Sequence, residues 1–413
     1  MKITTKNGSD FRPLTGDFST TTLVELSPHA ALKRIPANVV LLIDASSSMG
    51  GSKWNTVKQA VGELIGALGD EDRVAVVLFH SSSSVVFPLA SLAENRKVMQ
   101  EHLAKLPSPS GVTNLEQGLK TAYQTFQDRS ASDKFKRVNH VMLLTDGFPT
   151  DGHGYRVDKT HVYEQIVSKQ EHITLTGIGI GSAEDYDADF IGRLCDLGRG
   201  SYYHANDLSK LKAGIAQEVQ KLQAAVVGDL TLEFTGVEGR MLRLAKVFPE
   251  IVLYDIPGNK KAFSLPTGSM TKDTVSFLVQ TASIADVSDG EKVPLFSVQA
   301  RYDSSLTETV AVSIAASSRE SDVAAHDSDV LQALQTLQVH LNGDAIQKSL
   351  ASGDKAKATR LIENTTRIAS QLGQAKVTVA LAQLAGDLKK GKSVQDDLAM
   401  VKEASKKTRL IGG

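Results

Sequence analysis

The sequence predicts an α/β chain in which a doubly wound, parallel-sheet domain is inserted in a β-sandwich and followed by a C-terminal helical bundle. Three observations predict it. Unbroken apolar runs alternate with helical periodicity from about Ile35 to Ala224. Short runs with apolar residues at every second position fill Gly228 to Ser313 and also Thr20 to Leu26. Helical periodicity alone remains from Val330 onward. At 413 residues the chain exceeds the size at which one core keeps growing, so several domains are expected. The division reads as N-terminal strands over 1–34 that join the sandwich, the doubly wound domain over 35–225, the sandwich over 226–316 and the helical region over 317–413.

Asn38 to Ile43 is a continuous apolar run that ends at a carboxylate, as expected of a central strand buried on both faces. After the Gly50-Gly51 turn, Val57, Ala60, Val61, Leu64, Ile65 and Leu68 fall at helical spacing. Arg73 to Phe79 is the next strand, and Ser84 to Leu89 returns beside it as an antiparallel edge. Leu115 to Phe126 is helical, and Val138 to Leu144 is a second buried strand. Ile173 to Ile180 and Ser201 to His204 supply further strands, with helices at Asp187 to Leu197 and Leu208 to Leu222.

Beyond Gly228, runs such as Leu230 to Phe234, Val275 to Val279 and Leu295 to Val298 are separated by turn signals at Pro257-Gly258-Asn259 and Asp289-Gly290, which argues for an antiparallel sandwich. The first 34 residues are strand-like but too few to build a core, so they are expected to pair with that sandwich. Ser317 to Asp329 reads as a polar linker or helix lead-in. Val330 to Leu341, Ala356 to Leu372 and Val377 to Leu388 then form the helical bundle.

Charge excludes some functions. With Lys+Arg 46 against Asp+Glu 47, the net charge of -1 offers no basic field for nucleic acid or an anionic membrane. The N-terminal residues lack the apolar run of a signal peptide, and no stretch reaches the roughly 18 apolar residues of a membrane span, so a cytoplasmic home is expected. Cys195, the one cysteine, sits among Phe190, Ile191, Leu194 and Leu197 and reads as a small buried hydrophobe. His153 and His161 carry no zinc spacing.

Chemistry concentrates in three separated segments: Asp44-Ala45-Ser46-Ser47-Ser48, Gly111-Val112-Thr113-Asn114 and Thr145-Asp146-Gly147. The first and third follow the carboxyl ends of predicted strands, where open α/β sheets bind ligands. Ser46, Ser48 and Thr113 offer neutral hydroxyl oxygens, and Asp44 and Asp146 offer carboxylates. A hard divalent cation wants oxygen donors of this kind. Mg²⁺ is expected first, with Mn²⁺ and Ca²⁺ as alternatives. A shell rich in neutral hydroxyls leaves the ion electrophilic and open to an outside Asp or Glu. The bland alternative is that the serines only cap the following helix.

Together the three segments resemble the metal-ion-dependent adhesion site, or MIDAS, of von Willebrand factor A domains. The resemblance implies a Rossmann-like sheet, a metal held by Asp44, Ser46, Ser48, Thr113 and Asp146, and a protein partner that supplies a carboxylate. Ser47 stands where many relatives carry Gly, which narrows the approach to the ion but removes no ligand. The whole arrangement is similar to bacterial A-domain proteins related to calcium-activated chloride channel regulators and inter-α-trypsin inhibitor heavy chains. Such proteins imply a scaffold or adaptor role and association with AAA-type ATPases or kinases.

The competing reading is a metal-dependent phosphatase or hydrolase using Asp44. Haloacid-dehalogenase-like phosphatases place a second Asp two residues after the first, where this chain has Ser46, and no G-x-S-x-G elbow surrounds the serines. A non-catalytic chain is therefore expected. Gly386 to Ser393 satisfies the P-loop expression G-x-x-x-x-G-K-[ST], but it lacks the strand-to-helix context that phosphate cradling needs. Ser393 and Asp396 read instead as a capping box for the last helix. The terminal Gly412-Gly413 resembles the conjugation end of ubiquitin-like proteins, although terminal glycines are more often a frayed end.

Overall fold

The structure, a computed structural model, describes residues 1–127, 137–151, 153–157, 160–182, 184–236, 241–256, 260–283, 286–302 and 305–407. The expected turn at Pro257-Gly258-Asn259 and the Gly-Gly tail lie outside them. Two compact units emerge. One comprises Met1–Leu32, Thr231–Leu265 and Lys272–Gly413, and the other Lys33–Leu230 and Pro266–Thr271.

The chain enters the first unit through β1 (Lys2–Asn7), β2 (Phe11–Arg12) and β3 (Phe18–Ser27). It then builds the second unit from β4 (Ala37–Asp44), α1 (Ser52–Ala67), β5 (Arg73–Phe79), β6 (Ser83–Ser91), α2 (Leu92–Ala104) and α3 (Leu115–Gln124). The same unit continues with β7 (Val138–Thr145), α4 (Thr160–Ser168), β8 (Thr174–Ile180), α5 (Ala188–Leu197), β9 (Arg199–Ala205) and α6 (Leu208–Ala224).

Its sheet runs in the order β6-β5-β4-β7-β8-β9. Only β6 is antiparallel; the others are parallel, as helical crossovers require. Every residue of β4 is buried, and its side chains alternate between two cores. Val39, Leu41 and Ile43 face a cluster with Val61, Leu64 and Ile65 of α1, Met99 of α2 and Ile215 and Val219 of α6. Val40 and Leu42 face Leu115 and Leu119 of α3, Tyr163 of α4 and Phe190 and Ile191 of α5. This two-sided burial explains why the strand reads as an unbroken apolar run. Leu42→Ala, at 0% exposure, is expected to lower stability by about 2–5 kcal/mol in denaturant unfolding, through lost burial and the cavity left behind. A change below about 1 kcal/mol would argue against this packing.

After α6 come β10 (Val227–Thr235), β11 (Met241–Phe248), β12 (Val252–Tyr254), β13 (Ala262–Met270), β14 (Val275–Ser283), β15 (Lys292–Tyr302), β16 (Ser305–Leu306) and β17 (Val310–Ala316). They complete two sheets, ordered β1-β3-β14-β11-β12 and β13-β10-β15-β17-β2, with β16 paired to β15. The N-terminal strands thus share sheets with strands more than 200 residues away: β3 pairs antiparallel with β14 from Phe18↔Ser283 to Leu26↔Val275.

The chain ends in α7 (Glu320–Ala324), α8 (Ser328–Ala351), α9 (Lys355–Gln371), α10 (Ala375–Lys389) and α11 (Gln395–Lys406). The stretch expected to be a linker or helix lead-in holds the short helix α7 and ends in the Asp327 cap and first residues of α8. Helix α8 serves two cores. Val330 and Leu337 pack with Leu23, Ala245, Val247 and Leu278 of the first sheet and with Ile251 between β11 and β12, whereas Val339 and Ile346 join Ile362, Leu381, Leu384 and Val401 of the bundle.

The P-loop-like segment from Gly386 to Ser393 covers the last turn of α10 and its exit, where Gly391 takes φ +67. It is a helix ending rather than a strand-to-helix phosphate cradle. The cap expected at Ser393 falls one residue before Val394, which precedes α11 at Gln395. Cys195 is buried on α5. Among the described residues, no helix is long and apolar enough to cross a membrane.

Candidate metal centre

The strand order changes direction beside β4. The chain leaves β4 for β5 on one side and later returns to β7 on the other, which opens a crevice at the carboxyl ends of β4 and β7. Register places Ile43 beside Leu144, so Asp44 and Asp146 emerge from neighbouring parallel strands at this crevice.

Asp44 closes β4 and is fully buried. Its Oδ1 accepts from the Ser46 amide at 2.9 Å, and its Oδ2 accepts from the Thr145 hydroxyl at 2.7 Å. Burial pushes its carboxyl up to about 6; the hydrogen bonds from Thr145 and Ser46 oppose that rise, and the nearby charge of Asp146 adds to it.

The serines occupy a single 3₁₀ turn, Ser47–Met49, capped at Ser46 with no side-chain hydrogen bond to the turn. They are not spent as helix caps. Ser46 Oγ lies 3.0 Å from Ser48 Oγ, and Ser48 Oγ donates to Asp146 Oδ1 at 2.7 Å. Ser47 turns away, donating through Oγ to the Gly111 carbonyl at 3.0 Å. The expected narrowing of the site by Ser47 is thus replaced by a tether to the second segment.

That segment is pinned from three directions. Ser110 N donates to the Ala45 carbonyl at 2.8 Å, Ser47 N to the Gly111 carbonyl at 3.1 Å, and Thr150 N to the Thr113 carbonyl at 2.8 Å. Asn114 caps α3, accepting from Gln117 N. Thr113 is buried, and a Cβ at Gly147 would stand 2.9 Å from Thr113 Oγ1 and 3.7 Å from Ser48 Oγ. Gly147 is therefore the residue that lets the Thr113 hydroxyl approach the end of β7.

All five candidate side chains converge at one rim. An octahedron with metal–oxygen distances of about 2.1 Å has edges of about 3.0 Å. The 3.0 Å and 2.7 Å separations along Ser46, Ser48 and Asp146 are spaced like adjacent corners of one, so the donor set suits a small hard cation. Among the described residues there is no group of three or more His, Cys, Asp or Glu that suits a metal, consistent with a hydroxyl-rich set holding only two carboxylates.

Sequence reasoning missed three contributors. Thr145 and Gly147 act through close contacts that a linear pattern does not reveal. Lys53 on α1 reaches Asp146 Oδ2 at 2.7 Å and lies 3.9 Å from Asp185. A signal for it did exist: a lysine in the first turn of a helix opposes the helix dipole, and the first turn of α1 holds no acidic residue to compensate.

The neighbouring 149–157 loop is built around Asp151, whose Oδ1 accepts from the amides of His153 and Tyr155 at 2.9 Å each. The Tyr155 amide first, with those of His153 and Gly154, holds its carboxyl below the usual range. Asp151 is a turn former, and the loop it closes presents Tyr155 at 74% exposure.

Residues 38–217 match the family described as von Willebrand factor type A domain. Over 390 residues the chain is 23% identical to an uncharacterised protein of Synechocystis sp., covering 92% of this chain and 88% of that one. It is 30% identical over 173 residues to inter-alpha-trypsin inhibitor heavy chain H2 of Mesocricetus auratus, covering 41% of this chain but only 18% of the heavy chain. A von Willebrand factor type A structure from Catenulispora acidiphila superposes with TM-score 0.82 at 17% identity, over 98% of this chain and 97% of that one. The ArnB paralog VWA2 from Sulfolobus acidocaldarius does so with TM-score 0.65 at 19% identity, again over 98% and 97%. At these identities the structural likenesses speak to the fold.

Proposed function

We propose that the von Willebrand factor type A domain this chain carries at residues 38–217 works as a cation-dependent protein-binding module, probing partners for an exposed Asp or Glu. The observation that carries the reading is the convergence of Asp44, Ser46, Ser48, Thr113 and Asp146 at one rim, where the oxygens of Ser46, Ser48 and Asp146 follow one another at 3.0 and 2.7 Å. When bound, a divalent cation, Mg²⁺ first, supplies an electrophilic position for an outside carboxylate. The chain's own residues do the rest. Asp44 and Asp146 supply negative charge, the three hydroxyls supply neutral oxygens, and the Thr145 and Ser46 donors fix the Asp44 carboxylate in place.

Two features favour binding over hydrolysis. Asp44 is fully buried with both oxygens already accepting hydrogen bonds, a poor position for attack on a substrate. Tyr155 stands exposed on a loop tied to Thr113 through Thr150, beside the rim. Tyrosine is among the residues that most often anchor protein interfaces. A scaffold or adaptor role in the cytoplasm, beside an AAA-type ATPase or a kinase, fits such a module, and the partner's identity is the first thing to measure.

Capture of partner proteins on immobilised chain is expected in Mg²⁺ and lost in EDTA. Thr113→Ala should reduce capture about as strongly as chelation, because the rim loses a hydroxyl donor while α3 keeps its Asn114 cap. Changing the captured protein's critical Asp or Glu to its amide should weaken binding by about 2 kcal/mol or more, as a charge-assisted contact is lost. Capture that is indifferent to EDTA and to Thr113→Ala would overturn the proposal. So would turnover of phosphate esters abolished by Asp44→Asn.

A further inference from the structure

We propose that Lys53 is a resident counter-cation of this rim, one that holds down its affinity for metal in the absence of a partner; the inference rests on the metal-site reading above. The ammonium of Lys53 is 2.7 Å from Asp146 Oδ2, the carboxylate oxygen not used by Ser48. Two carboxylates and one ammonium leave the rim with a net charge of one negative unit. A divalent cation entering it is therefore left with one positive charge in excess, which an incoming carboxylate cancels. Without Lys53 the same cation would be neutralised by Asp44 and Asp146 alone. By linkage, a group that weakens metal binding alone but not metal and partner together makes each favour the other.

The surroundings give the ammonium a second seat. Asp185, in the loop after β8, has its Oδ2 3.9 Å from Lys53 Nζ and accepts there from the Ser182 amide at 3.0 Å. Gly181, at φ +103, keeps the space open. A Cβ at this position would stand 2.9 Å from Asp185 Oδ2 and 3.3 Å from Lys53 Nζ. Lys53 is about one-third exposed and Asp185 about half, so the side chain has room to pass from Asp146 to Asp185 when a metal takes up the Asp146 charge. Three elements thus meet at Lys53: the first turn of α1, the end of β7 and the end of β8.

Calorimetric titration of the full chain with Mg²⁺ alone, repeated with Mn²⁺, tests this. Lys53→Met is expected to bind Mg²⁺ about tenfold more tightly than wild type, the size of effect expected from removing one ammonium charge a few ångströms from a dication in a half-exposed site. Lys53→Arg, which keeps the charge, should stay near wild type. Asp185→Asn should weaken Mg²⁺ binding, since its amide oxygen can still accept from Ser182 but no longer draws the ammonium away from Asp146. Thermal unfolding without metal checks that each variant is folded. Unchanged or weaker binding by a folded Lys53→Met, with wild type binding normally, overturns the counter-cation role and leaves the metal reading intact. Absence of binding by wild type and every variant overturns the metal reading, and this inference with it.

Discussion

Replacing both rim carboxylates by amides, Asp44→Asn with Asp146→Asn, is expected to weaken Mg²⁺ binding by more than about a hundredfold while the protein remains folded. The hydroxyls of Ser46, Ser48 and Thr113 are neutral, so among the five proposed ligands the negative charge belongs to these two residues. The fold does not depend on that charge. Burial holds the Asp44 carboxyl up to about 6, meaning that the ionised form is disfavoured there, and an amide oxygen can still accept from the Ser46 amide. Lys53 loses its partner at Asp146 but is about one-third exposed, so solvent compensates much of the loss. Calorimetry for the metal and a thermal scan without it test the two halves separately. Equal heats of binding in wild type and double variant would remove the metal from this rim, and a large fall in melting temperature would show that the carboxylates are structural.

Removing residues 1–30 is expected to unfold the first unit and spare the second. The deletion takes away β3, the strand between β1 and β14, and with it nine residue pairs along β14. It also removes Leu23, Val24 and Leu26, all buried, at about 1.5–3 kcal/mol for each apolar side chain returned to water. The sum approaches the whole stability of an ordinary domain. The sheet β6-β5-β4-β7-β8-β9 draws no strand from the deleted stretch. Hydrogen exchange on the truncated chain should show lost protection over β11 and β14 and retained protection over β4, β7 and β8. Protection retained at 275–283 would contradict this pairing.

The fold class was legible because its signals are local. Val39 to Ile43 and Val141 to Leu144 are apolar throughout because both faces of β4 and β7 are covered, and Leu230 to Phe234 reads as alternating sandwich strand. The convergence of Asp44, Ser46, Ser48, Thr113 and Asp146 was legible because three short segments spell it. What escaped depends on tertiary proximity. Lys53 meets Asp146 from 93 residues away, Thr145 is placed under Asp44 by sheet register, and Ser47 finds Gly111 across two loops. The start of α11 at Gln395 falls within one residue of the start that the spacing of Ser393 and Asp396 spells.

The pairing of β3 with β14 also sets a schedule for synthesis. Val24 is made long before its cross-strand neighbour Phe277, and at ribosomal rates of roughly 5–20 residues per second the wait is on the order of 10 to 50 s. During that interval β1 can zip onto one edge of β3, from Lys2↔Ser27 to Asn7↔Thr22, but the other edge stays bare. The domain at 38–217 can complete its own sheet meanwhile, since all six strands come from within the span just translated. A nascent chain at this stage is a finished α/β domain preceded by an orphaned β-ribbon, and that open strand edge is where a chaperone, or a second nascent chain, would find purchase.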